Sequence, residues 1–278
     1  MDLPHQETPQ GPNPPGPEVF DEWIQAPPTR VPSARTAFSA MIAFFLTQMA
    51  GFFLVGLAAG IYAASTGVPD GDVEALETVI GPFILYSMLP VFLISGLPVL
   101  TITRARAADV LNDGSPQGVG WRNSTAPAIL AGLFIGAVFA FSCLLLYSTI
   151  FKQIEPGEGG AIAQLANTGP VAQISLALMV VLVAPVVEEG LFRGVMLAGF
   201  TRSFGLTAAV FLTSGLFTAA HLPELLRYPP ATLGIGGLAL LATWLRIQTE
   251  SLFPAMAVHA GYNGLLVALM LLAPHIQH

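Results

Sequence analysis

Apolar and polar positions along this chain fall into long blocks instead of the narrow stripes of amphipathic elements. Seven apolar blocks, near residues 37–65, 79–103, 127–151, 172–200, 204–221, 231–247 and 252–273, are separated by polar stretches. A helix rises about 1.5 Å per residue and the hydrocarbon core of a bilayer is about 30 Å thick, so each block predicts a membrane-embedded helix, the fifth and sixth being short for full spans. The second block contains Pro82, Pro90 and Pro98, which predicts kinks or neighbours that satisfy the freed carbonyls. The expected fold is an all-α polytopic transmembrane bundle of about seven spans, within limits of six and eight. No repeat of fixed period is visible, and the inverted halves of many transporters are not apparent.

Before the first block, residues 1–36 are polar and hold nine prolines. Such a segment cannot bury enough surface to fold, and it predicts a mobile, partly polyproline II tail in the cytosol. It lacks the three regions of a cleavable signal peptide. Residues 37–278 then form the transmembrane domain.

Composition sharpens the picture. The chain is 54% hydrophobic and only 10% charged, against about 25% charged in soluble domains. The net charge of −7 offers no basic surface, so nucleic acid is excluded as a partner. The single cysteine, Cys143, cannot form an internal disulfide and reads as a small core hydrophobe. No CxxC, HExxH or P-loop pattern occurs. With a cytosolic N-terminus, Arg30, Arg35, Arg104, Arg106, Arg122, Arg202 and Arg246 fall inside, and only Lys152 and Arg227 fall outside. The expected location is a plasma (inner) membrane with the N-terminus in the cytosol and the C-terminus outside.

Against this apolar background, the fourth block carries Glu188, Glu189 and Arg193 in VVEEGLFRG. An ionised side chain near the bilayer centre costs about 2.5–3.5 kcal/mol on insertion scales, so three together require partners or water. Glu189 and Arg193 are i and i+4 with the acid N-terminal, the favourable orientation for an ion pair. Glu188 lies about 100° further round the helix and is left free. Pro185 predicts a kink that admits water to it, and Gly190 with Gly194 forms a GxxxG pattern suited to close helix packing.

Two further polar sets occur at helical spacing. In FTAAH, Phe217 lies one turn before His221 and can fix its ring; in HAGYN, His259 and Asn263 share one helix face. Counting from the inner helix ends puts Glu188 about 18 Å deep, His221 about 25 Å, His259 about 10 Å and Asn263 about 16 Å, close enough to share one cavity. Taken singly, each set has a structural explanation, such as an interhelical hydrogen bond. Six costly polar groups in one membrane domain point instead to a site.

A free carboxylate in a low-dielectric cavity is a usable general base. With His221, Glu188 can hold and deprotonate a water molecule, and His259 with Asn263 suits the oxyanion formed on attack at a carbonyl. Glu189 and Arg193 would fix the local structure. This describes peptide hydrolysis without a covalent intermediate. A zinc-dependent version would place the metal between Glu188, His221 and His259, while the primary expectation is no cofactor. A non-catalytic scaffold, an immunity protein or a proton-coupled carrier is the alternative of another class.

The three motifs EExxxR, FxxxH and HxxxN, in that order in a polytopic protein, resemble the CPBP family. It comprises the type II CAAX prenyl endopeptidases (Ras-converting-enzyme-like) and bacterial bacteriocin-immunity and abortive-infection relatives. The resemblance covers roughly residues 172–273. It implies an all-α bundle whose cavity opens to the cytosol, with Glu188 and His221 activating water and His259 and Asn263 forming the oxyanion hole. It also implies a peptide or membrane-protein substrate, lipidated in some members, met among membrane lipids.

Overall fold

A computed structural model describes residues 29–68, 72–151 and 169–276. Among the described residues there is no strand. The long helices are α1 (Ala34–Ser65), α2 (Val73–Arg106), α3 (Ala126–Ile150) and α4 (Pro170–Phe204). They are followed by α5 (Leu206–Ala220), the short α6 (Leu222–Arg227), α7 (Ala231–Thr249) and α8 (Leu252–Ile276). The N-termini of α1, α2 and α3 are set by side chains that accept an otherwise unpaired backbone N–H: Ser33 from Thr36, Asp72 from Ala75 and Thr125 from Ala128. Helix α2 runs without interruption past Pro82, Pro90 and Pro98.

Among the described residues six helices (α1, α2, α3, α4, α7 and α8) are long and apolar enough to cross a membrane. The remaining expected span, α5, has 15 residues and reaches only about 22 Å. It forms a hairpin with α7 through α6, leaving from and returning to one end of the bundle. Ala34 and Ile276 therefore lie at opposite ends of the bundle whether or not the hairpin crosses fully. Outward-facing Leu46, Phe53, Phe134 and Leu145 are largely exposed, as expected of a surface that meets lipid. The protein is an integral membrane protein.

The expected tail falls mostly on residues 1–28, outside the described residues, as does Lys152. Helix α1 itself starts three residues before the apolar pattern does. The stretch leading into it is tied down, because Asp109 accepts from the Thr29 and Arg30 backbone N–H groups and from the Arg30 guanidinium.

The arginines gather at one end. Arg202 donates to the Gln117 carbonyl, and Arg122 pairs with Glu250. Fully buried Arg246 donates to the carbonyls of Gly114, Ser115 and Gly118. Residues 107–125 fold over that guanidinium as a compact loop. Gly120 has φ +77°, and a Cβ there would strike Arg246, so only glycine fits. The Gly120 carbonyl accepts from Leu252 N–H, which fixes where α8 begins.

The second half of α4 is the central element. Leu191, Phe192, Val195, Met196, Leu197 and Phe200 are all buried against Ala37, Ala40 and Phe44 of α1, Ala209 and Phe217 of α5, and Ala239 of α7. A helix apolar on every face belongs in such a position. The closest backbone approach is not at the expected Gly190–Gly194 pair. A Cβ on Gly190 would meet nothing within 4 Å. Instead α3 and α8 approach through Gly132, Gly136 and Gly261, where added Cβ atoms would strike the carbonyls of Pro254, Val258 and Leu133 respectively. The GxxxG at 190 and 194 lies in a π-helical segment, so its two glycines do not form the shared ridge that regular helical spacing predicts. Cys143 is buried among apolar neighbours.

Candidate active site

Helix α4 is irregular where the acids lie. Glu188 and Glu189 sit in a six-residue α-helical stretch, Ala184–Glu189, between two π-helical segments, Met179–Val183 and Gly190–Met196. In the first π segment Ala184 N–H donates to the Met179 carbonyl, five residues back. The next bond of that ladder would run from residue 185 to the Val180 carbonyl. Pro185 has no N–H to give.

Glu189 and Arg193 are both fully buried and pair at 3.0 Å as i and i+4. Arg193 is committed on every side: Nη1 donates to Glu189 Oε1, Nη2 to the Ala239 carbonyl at 2.7 Å, and Nε to Thr243 Oγ1 at 3.3 Å. Its guanidinium carbon lies 4.4 Å from the Phe217 ring centroid, a cation–π contact. Thr243 in turn donates to the Ala239 carbonyl, so one turn of α7 forms the receptor for the arginine.

His259 brings α8 to the same point. Its Nδ1 lies 2.8 Å from Glu189 Oε1 and its Nε2 lies 3.9 Å from Glu188 Oε2. With an ionised Glu189 as acceptor, Nδ1 carries the proton, and Nε2 is turned toward the second carboxylate. Glu188 is partly accessible, yet its Oε2 is buried with no hydrogen-bond partner. Oε2 of Glu189 is likewise unpartnered.

His221 terminates α5. Its Nδ1 is 2.9 Å from the Phe217 carbonyl. A carbonyl only accepts, so Nδ1 holds the proton and Nε2 keeps its lone pair for a substrate or water. The Phe217 ring is the hub: its centroid lies 4.8 Å from that of His221, 5.7 Å from that of His259 and 5.1 Å from that of Phe192. The expected stacking of Phe217 on His221 is present, and the same ring also steadies His259 and Arg193. Asn263 Nδ2 donates to the Val180 carbonyl at 2.9 Å, so at least one of its N–H groups serves the backbone of α4.

The fold thus joins Glu188, Glu189, Arg193, Phe217, His221 and His259 through direct contacts, with Asn263 one helical turn further along α8. Among the described residues no group of three His, Cys, Asp or Glu side chains is placed to hold a metal ion. Glu188 and His259, counted at about 18 and 10 Å from the inner helix ends, approach to 3.9 Å. Sequence reasoning missed Thr243 and the Ala239 and Val180 carbonyls. A threonine in an apolar helix is a weak signal, and a backbone acceptor gives none.

The fold and site define a polytopic membrane protein with a buried carboxylate–histidine centre. Residues 170–265 match the model of the family described as type II CAAX prenyl endopeptidase Rce1-like, and all seven site residues fall within that stretch. The match covers about a third of the chain and is a likeness, over that domain, to a family of membrane endopeptidases. No curated protein and no solved structure matches the chain.

Proposed function

We propose that this protein is an intramembrane endopeptidase that hydrolyses a peptide bond with a water activated by Glu188 and His221. The observation that carries the reading is the buried, unpartnered Glu188 Oε2 beside His259 Nε2 at 3.9 Å. A buried carboxylate oxygen without a partner is costly, and an oxygen at hydrogen-bonding distance from both groups relieves it.

In this mechanism Glu188, assisted by the His221 Nε2 lone pair, takes a proton from water. The hydroxide oxygen forms a bond to the substrate carbonyl carbon, and the carbonyl electrons move onto oxygen. His259 stabilises that oxyanion through Nε2–H. With Nδ1 given to Glu189, this donation takes the doubly protonated ring. Collapse breaks the C–N bond as the proton on Glu188 passes to the leaving amine. Glu189 and Arg193 act through His259, holding its ring. The arginine-rich end faces the cytosol by the positive-inside rule, with the N-terminus on that side of the plasma membrane. The substrate is a peptide or membrane-protein segment reached from the bilayer, including lipidated ones.

The Nδ1 atoms of both histidines are engaged, His259 with Glu189 and His221 with a carbonyl, which leaves each Nε2 for the reacting atoms. Purified protein incubated with a peptide library that includes farnesylated CAAX peptides tests the proposal, comparing untreated, chelated and zinc-restored samples. Cleavage should survive chelation. Activity that disappears on chelation and returns with stoichiometric zinc contradicts the metal-independent mechanism, and no cleavage in any sample contradicts the protease reading.

A further inference from the structure

The sequence pattern directs Asn263 toward an oxyanion, yet one of its two Nδ2 N–H groups goes at 2.9 Å to the Val180 carbonyl. That carbonyl is not an arbitrary acceptor. It is the next rung after the Ala184-to-Met179 bond, the rung whose donor would be residue 185. Pro185 cannot supply it, and a buried carbonyl without a donor is unfavourable by about 1–3 kcal/mol. The stretch so affected leads directly into Glu188, three residues beyond Pro185.

We propose that Asn263 is a positioning residue: its carboxamide supplies the hydrogen bond that Pro185 withholds from Val180, and so fixes the π-to-α transition that presents Glu188. The pair Pro185 and Asn263 is then one device on two helices. Proline opens the ladder so that the helix can be re-registered before the acids. Asparagine closes the gap from α8, the helix that also carries His259. Because His259 and Asn263 are i and i+4 on α8, the helix that orients the histidine also pins the backbone that orients its carboxylate partner. The catalytic part of this inference rests on the protease reading; the hydrogen-bond replacement does not.

The two roles open to Asn263 separate in a double-variant cycle. Asn263→Ala, Pro185→Ala and the combined variant are compared with the wild-type full chain in detergent, by melting temperature and by amide exchange over residues 179–189. Cleavage of a peptide that the wild type cuts is measured alongside. With proline present, Asn263→Ala should lower the melting temperature by about 3–8 °C and speed exchange in that segment. It should also lower kcat about tenfold or more with KM unchanged. In the Pro185→Ala background, where position 185 regains a backbone N–H, adding Asn263→Ala should change none of these by more than about a quarter of its effect in the proline background. If Asn263→Ala alone yields no folded protein, recovery of folded protein in the combined variant supports the proposal, and continued failure overturns it. Equal losses in the two backgrounds overturn it and return Asn263 to the oxyanion. A wild type that cuts no peptide refutes the protease reading instead, and the melting and exchange comparison then decides the role of Asn263.

Discussion

His259 and Glu189 meet at 2.8 Å between Nδ1 and Oε1 across 70 residues of sequence. That contact divides the work of two adjacent acids. Glu189 is held by Arg193 and His259 and serves the structure, while Glu188 keeps a buried oxygen free. The division follows from helix geometry, because neighbours about 100° apart cannot both face the same arginine.

Arg193→Ala should cost about 3–5 kcal/mol, because it strands a fully buried carboxylate. Arg193→Lys should recover only part of this, since one ammonium cannot reach the Glu189, Ala239 and Thr243 acceptors together. Thermal melts in detergent read both variants. Loss of activity with an unchanged melting curve would contradict the structural role of the pair.

Gly136→Ala should be harmful well away from the acids. Its Cβ would strike the carbonyl of Val258, the residue before His259, so α3 would push α8 and its histidine away from Glu189. Overpacking of this kind costs about 1–3 kcal/mol, and cleavage should fall with it. Gly56→Ala in α1, where a Cβ meets nothing within 4 Å, should be neutral or slightly stabilising in the same melts.

The arginine-rich end should loosen in acid. The Arg30 backbone N–H above all, then its guanidinium and the Thr29 N–H, hold the Asp109 carboxyl below its usual 3.8 against a smaller opposing effect of burial. A carboxylate whose folded value is depressed contributes stability above its unfolded value and loses it as pH falls through the folded one. Asp109→Asn should therefore melt below the wild type at about pH 7, and the gap should close by about pH 2. A gap that persists in acid would mean that the contact is not ionic.

Much of this was legible in the sequence. The apolar blocks match the long helices because a bilayer demands runs of fixed length, and Glu189–Arg193 pairs as its spacing requires. The fifth block forms a helix of only 15 residues, one arm of a hairpin. What escaped was long-range. Nothing in ALLATWLR shows that Thr243 and the Ala239 carbonyl receive an arginine about fifty residues earlier. The glycine pair at 190 and 194 misled because regular helical spacing does not hold in a π segment. The pair that does permit close packing, Gly132 and Gly136, carries the same GxxxG spacing on another helix.

The central claim is that Glu188, not Glu189, activates the water. The most direct measurement compares Glu188→Gln with Glu189→Gln for cleavage and melting temperature in the same preparation. Glu188→Gln should abolish cleavage and leave the melting temperature within about 2 °C of wild type, since its free oxygen has no partner to lose. Glu189→Gln should lower the melting temperature several-fold more, because Arg193 and His259 both lose an ionic acceptor. Cleavage by Glu188→Gln within a few-fold of wild type would contradict the account.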